Sequence, residues 1–199
     1  ETFARRIVYI EQPLRRDAAL DPERLKGFDA LSARYPIIID ESDATLDTYA
    51  QAVAAGYRGT SHKNCKGIIK SLLNLARHER KRDNGGAPFL LSGEDLTNIG
   101  PVALMEDLAV VSALGIEHVE RNGHHYFRGL NHLDPQQAHR VLDDYPGLYT
   151  RLSDTVTVRI EAGKVDCRSL RGPGLGVVRR LDPRDWTDWN AFDASVVTI

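Results

Sequence analysis

The chain has 199 residues, 42% of them hydrophobic and 27% charged, with a formal net charge of −2. That is a globular composition with enough chain to bury a core, and near-neutral charge without a basic stripe argues against nucleic acid as the main partner. No apolar run reaches membrane-spanning length, no signal-peptide pattern is present, and Cys65 and Cys167 lack metal-type spacing, so a cytoplasmic protein with reduced thiols and no membrane partner is expected.

The first residues, ETFARR, run within a few positions into IVYIEQP, so the start reads as the middle of a domain. The apolar run RIVYIE is a β-strand, and it ends on a carboxylate, Glu11, before Gln12 and Pro13. Strand interiors reject unpaired charge and proline stops a ladder, so Glu11 belongs at the rim. It is either a solvated loop carboxylate or part of a site. Asp21-Pro22 reads as an N-cap with proline at the first helical position, opening a helix over ERLKGFDALSARY.

PIIID is the second strand and ends on Asp40, with Glu41, Ser42 and Asp43 behind it. ATLDTYAQAVAAG is a helix closing on Gly56, and GTSHK is a third strand ending on Lys63. The helix GIIKSLLNLARHERKR places Ile68, Leu72, Leu75 and Ala76 on one face and its basic residues at the end that the dipole favours. Cys65, between Lys63 and Lys66, reads as a buried free thiol. FLLSG and EHVER are the fourth and fifth strands, with GPVALMEDLAVVSALG as a helix between them and DPQQAHRVLDDYPG as another after them. Glu94 and Asp95 follow the fourth strand, either as loop charges or facing a substrate. Glu120 ends the fifth at the same rim. His124, His125 and His132 read as surface groups rather than zinc ligands.

Strand–helix alternation means parallel strands with crossover helices, spaced as in a (β/α) barrel. Five such units do not close a barrel, and an open half would expose edge strands. The expectation is therefore an α/β fold, a partial (β/α)7β TIM-type barrel comprising its C-terminal half. The missing strands come from upstream sequence or another chain; the alternative is a complete open α/β sheet. The barrel units span residues 1–151 and a small β-rich tail spans 152–199, where DTVTVRIEAGKVDCRS reads as a hairpin turning at Gly163. Gly172, Gly174 and Gly176 do not follow the dinucleotide fingerprint. Trp186 and Trp189 read as cover for apolar surface.

Chemistry in parallel α/β folds gathers at the C-terminal strand ends. Here those ends carry Glu11, Asp40 and Lys63 in succession. Two close carboxylates repel unless a cation joins them, and hard oxygen ligands without cysteine favour Mg2+. For Lys63 to act as a general base near neutrality, its pKa must fall by about 3 units, about 4 kcal/mol. A salt bridge to Asp40 or Glu11 would push it the other way.

The pieces YIEQPL, PIIIDES and HKNCKG, in this order and with GPGLGV near the carboxyl end, resemble the enolase superfamily, specifically its mandelate racemase and muconate-lactonizing branches. The third piece departs from the family pattern, since Lys66 is followed by Gly67 and Ile68 rather than two glycines. The resemblance implies Glu11 and Asp40 as Mg2+ ligands and Lys63 as the acid/base, as the lysine of this superfamily acts beside its metal. It implies Mg2+-dependent removal of a proton next to the carboxylate of a small substrate, by a racemase, epimerase, cycloisomerase or dehydratase; Glu94 and Glu120, from their places at the same rim, are the substrate-binding candidates. It also implies a capping domain absent here, and a homo-oligomer when full length. A third metal ligand and a second lysine have no counterpart, so these 199 residues alone are expected to be inactive and to bind Mg2+ weakly. Asp40→Asn is expected to abolish the activity of the complete enzyme while leaving the fold intact. The competing expectation is a non-catalytic α/β structural or binding fragment with solvated rim acids.

Overall fold

The computed structural model describes residues 3–83, 89–94, 98–121, 123, 126–179, 188–191 and 193. Asp95, His124, His125, Trp186 and the side chain of Trp189 lie outside the described residues. The chain divides into two compact units: residues 1–94 with 116–119, and residues 95–115 with 120–199.

The first unit holds the parallel sheet. In chain order its elements are β1 (Ile10–Glu11), α1 (Phe28–Arg34), β2 (Ile37–Ile39), α2 (Thr48–Ala54), β3 (Gly59–His62), α3 (Ile68–Asp83) and β4 (Leu90–Glu94). Beyond α4 (Ala103–Ala113), β5 (Val119–Glu120) completes the sheet in the order β1-β2-β3-β4-β5. All five expected strands are present, and neighbours run parallel, with Ile10 against Ile37, Ile38 against Gly59 and Thr60 against Leu91. This is an α/β fold whose parallel sheet curls as half of a barrel would.

The curl follows from the contacts. Strands in a flat sheet lie about 4.8 Å apart, so the first and fourth would be about 14 Å apart. Yet the Tyr9 hydroxyl, just before β1, hydrogen-bonds Ser92 Oγ on β4 at 2.8 Å. Only a sheet rolled about its own axis brings those strands within one side chain's reach. The roll also needs Gly59, because a Cβ there would sit 1.8 Å from the carbonyl oxygen of Leu90. Gly59→Ala should push β3 from β4 and cost about 2 kcal/mol, as other overpacked core changes do, read as a lower urea midpoint at unchanged m-value.

Ile37, Ile38 and Ile39 are all fully buried, the pattern of a parallel strand covered on both faces. Ile37 and Ile39 pack with Leu25, Phe28, Ala52 and Tyr57, and the Tyr57 hydroxyl donates to the Ala19 carbonyl at 2.8 Å. The first helix is shorter than its sequence suggests. Asp21 Oδ1 accepts from the Glu23 amide at 2.9 Å, which makes a local turn, and turns continue to Gly27, whose φ of 79° only glycine adopts freely. Regular helix starts at Phe28.

On α3 the expected apolar face is overturned. Its buried residues are Lys70, Ser71 and Asn74, while on the expected face Leu72 and Ala76 are exposed and Ile68 and Leu75 are only half-buried. The cause is Asp43, buried in the loop after β2. Lys70 Nζ lies 3.0 Å from its Oδ1, while Thr60 Oγ1 at 3.0 Å and Asn74 Nδ2 at 3.4 Å donate to Oδ2. An uncompensated buried carboxylate costs several kcal/mol, against about 1.5–3 kcal/mol for burying one leucine, so the polar face wins. Cys65 is exposed rather than buried, because the short turn Asn64–Lys66 sends Lys66 inward and leaves its neighbour outside.

The second unit contains α4, α5 (Pro135–Asp144) and an antiparallel hairpin of β6 (Tyr149–Leu152) and β7 (Thr155–Val158). Asp134 caps α5, accepting from the amides of Gln136 and Gln137 at 2.8 and 3.0 Å. The hairpin turns at Ser153–Asp154 and not at Gly163, which supports only a single bridge between Glu161 and Lys164. Its core gathers Leu104, Met105, Leu108, Tyr145, Leu148 and Val156. No helix among the described residues is long and apolar enough to cross a membrane.

Candidate functional site

Four strand ends meet at one rim of the first unit. Glu11 closes β1, Asp40 follows β2, Lys63 follows β3 and Glu94 closes β4. One carboxylate oxygen from each of Glu11, Asp40 and Glu94 lies within 4.8 Å of the other two. Glu11, Asp40 and Lys63, singled out in the sequence as metal ligands and acid/base, are thus brought together. Glu94 joins them as a third carboxylate, because the curl swings the end of β4 back toward β1. Glu120, by contrast, is exposed at the end of β5 and is not in this triad.

Asp40 is the hub and is fully buried. Its Oδ2 accepts from Lys63 Nζ at 2.7 Å and its Oδ1 from Lys66 Nζ at 2.6 Å, with Ser61 Oγ donating to the same oxygen. Lys66 also donates to the Asp40 backbone carbonyl at 2.9 Å. Lys63 reaches across to Glu94 Oε2 at 2.6 Å. Two ammonium groups therefore face three carboxylates, which leaves one negative charge uncompensated.

Glu11 relieves that excess by holding its proton more tightly. Burial, a hydrogen bond to Asp40 and repulsion from Asp40 and Glu94 push its pKa from 4.5 to about 7, with Lys63 opposing. Burial works against the ionised form of Asp40 too, but the hydrogen bonds from Lys63, Lys66 and Ser61 overcome it and hold that carboxyl well below the usual range. Burial likewise disfavours the Lys63 ammonium, yet its bonds to Asp40 and Glu94 raise its pKa above the ordinary lysine value. For Lys66 burial prevails over the pairing with Asp40, and its pKa falls. So the salt-bridge reading of Lys63 describes this state, with Glu94 rather than Glu11 as the second partner. Paired this way, Lys63 keeps its proton.

Gln12, Ser61 and Lys66 are parts of the site that sequence reasoning did not single out. Gln12 sits at φ 27°, sparsely populated for a residue with a side chain. Its amide oxygen accepts from the backbone amides of Asp40 at 3.1 Å and Ser42 at 2.8 Å, fastening the end of β1 to the turn that carries Asp40. Position 12, directly after the rim carboxylate and before proline, was the available signal. Behind the rim, His62 is buried between Ser71 Oγ at 2.6 Å and Asn64 Oδ1 at 3.1 Å. Burial lowers its pKa to about 4, so it is a neutral strut.

The donor set fits a small hard cation. Octahedral coordination at about 2.0–2.1 Å puts ligand oxygens about 3 to 4 Å apart, within small adjustments of this triad. Compared with known proteins, the chain matches no family model and no curated protein.

Proposed function

We propose that this rim is a divalent-metal site for proton abstraction next to a substrate carboxylate, in the manner of the enolase superfamily that the strand motifs resemble, with Mg2+ as the cation. The observation that carries the reading is the convergence of three carboxylates and Lys63 at the C-terminal ends of successive parallel strands. Glu11, Asp40 and Glu94 would hold the ion, Glu94 supplying the third ligand that the family motifs leave unfilled. A divalent ion there would offset charge developing on the substrate's carboxylate as the enolate forms. Lys66 and Ser61 keep Asp40 oriented from its buried side. Lys63 delivers or takes the proton, and it can take one only once its two carboxylates are otherwise neutralised. The product is an isomer or a dehydrated acid, depending on where the proton returns.

The ion pairs of Lys63 favour a second reading, in which the cluster is purely structural and the chain is a non-catalytic fragment. Binding of Mn2+, a paramagnetic stand-in for Mg2+, separates the two. Water-proton relaxation should report one weak site that Glu11→Gln and Asp40→Asn each abolish and that Mg2+ competes for. Mn2+ bound equally well by both variants rules out the metal reading. The 199 residues alone should exchange no α-protons of carboxylic acids in D2O.

A further inference from the structure

Among the described residues, Gln12, Ser153, Ala162 and Leu175 adopt positive φ without being glycine. The last three lie in turns, which supply the reason. Gln12 does not. It directly follows β1, and its backbone amide still donates to the Ile38 carbonyl at 2.9 Å, so it continues the ladder while holding φ at 27°. A residue with a side chain is strained there, and residues strained in this way gather at ligand clamps and active sites.

Oε1 of Gln12 accepts from two backbone amides, Asp40 at 3.1 Å and Ser42 at 2.8 Å. Both partners are donors, so the oxygen end of the side chain is fixed and the nitrogen end with it. Gln12 Nε2 has no hydrogen-bond partner among the described residues, and it is not one of the buried atoms left without one, so solvent reaches it. A glutamate would satisfy the same two amides and, being charged, would hold them more strongly. What glutamine adds is a free NH2 donor in place of a fourth carboxylate, beside the strand ends that carry Glu11 and Asp40.

We propose that Gln12 is a substrate-binding residue, its Nε2 donating to a carboxylate oxygen of a monocarboxylic acid bound at the rim. This rests on the metal reading above, and charge fixes how many carboxylates the substrate brings. With the ion bound and Glu11 ionised, Mg2+, Lys63 and Lys66 carry four positive charges, against three negative on Glu11, Asp40 and Glu94. One substrate carboxylate neutralises the remainder, and a second would find no cation left in the cluster to pair with. A neutral donor holds the substrate without upsetting that balance. Because its amide is already locked in place, little ordering remains to oppose binding.

The test is an NMR titration of the full chain with sodium acetate in saturating MgCl2, following the side-chain NH2 resonances of Gln12. A saturable downfield shift of one of the two protons is expected with Mg2+, and none in EDTA. Gln12→Glu keeps the acceptor and removes the donor: the Asp40 and Ser42 amides should stay protected from hydrogen exchange, while acetate binding weakens by about tenfold or more. Succinate, with its second carboxylate, should bind no tighter than acetate. An NH2 pair that acetate leaves unmoved overturns the proposal, as does equal acetate affinity in Gln12→Glu, and the metal reading survives either result if Mn2+ still binds. Succinate binding much tighter than acetate overturns the assignment to monocarboxylates. A wild-type chain that binds no Mn2+ removes the metal reading and this inference together.

Discussion

Asp40→Asn should lower the unfolding free energy by about 3–5 kcal/mol at pH 7, the usual cost of removing one partner from a buried ion cluster. The sequence alone suggested a silent change in stability at this position. The geometry says otherwise, because Asp40 is fully buried and neutralises both Lys63 and Lys66. Asparagine keeps one acceptor oxygen but no charge, so Lys66 is left with the Ser61 oxygens and the backbone carbonyl of residue 40, and Glu94 is the one carboxylate that still pairs with Lys63. Urea unfolding checks it. A loss under about 1 kcal/mol would mean that water reaches the cluster and screens it as at a surface. Any activity lost in this variant must therefore be corrected for the folded fraction before it is credited to chemistry.

The second large effect is a pH dependence that a cation should reverse. Glu11 has a folded pKa of about 7 against 4.5 for the free side chain. A raised folded pKa means the folded chain holds the proton more tightly, so this stabilisation is complete below about pH 4.5 and disappears as pH climbs through 7. At about 1.4 kcal/mol per unit, discounted for the partial exposure of Glu11, the loss is about 2 kcal/mol. Asp40 acts in the opposite sense: its lowered pKa gives stability that is present above the ordinary aspartate range and lost as pH falls. Metal-free protein should accordingly be most stable between about pH 4.5 and 6. At pH 8, Mg2+ at ten times its dissociation constant should restore about 1.4 kcal/mol. Glu11→Gln should flatten the neutral limb of the curve and remove the Mg2+ response. Urea midpoints at pH 5.5 and 8, with and without MgCl2, measure all of this, and an unchanged neutral limb in Glu11→Gln would move the titration to another group.

The two clusters of the first unit divide the work. Asp43, Lys70, Thr60 and Asn74 lock α3 onto the loop after β2. Glu11, Asp40, Glu94 and Lys63 sit at strand ends, and there a proton has to be retained on Glu11 to balance the charge. A group made to carry a proton near neutrality by its neighbours is a common property of functional sites.

Strand and helix identity was legible in the sequence because both are local: five short runs between amphipathic stretches became five parallel strands. The rim residues Glu11, Asp40 and Lys63 were legible for the same reason, since each ends an apolar run where a charge cannot be interior. Which face of α3 is buried was not legible, because hydropathy counts Ile68, Leu72 and Leu75 but cannot see that Asp43 waits under Lys70 and Asn74. Nor was the place of Glu94, whose distance from Glu11 depends on the curl of a whole sheet. The covalent order of a chain sets the period of its side chains. Electrostatic neutralisation between residues 23 to 31 positions apart is decided only when the sheet curls.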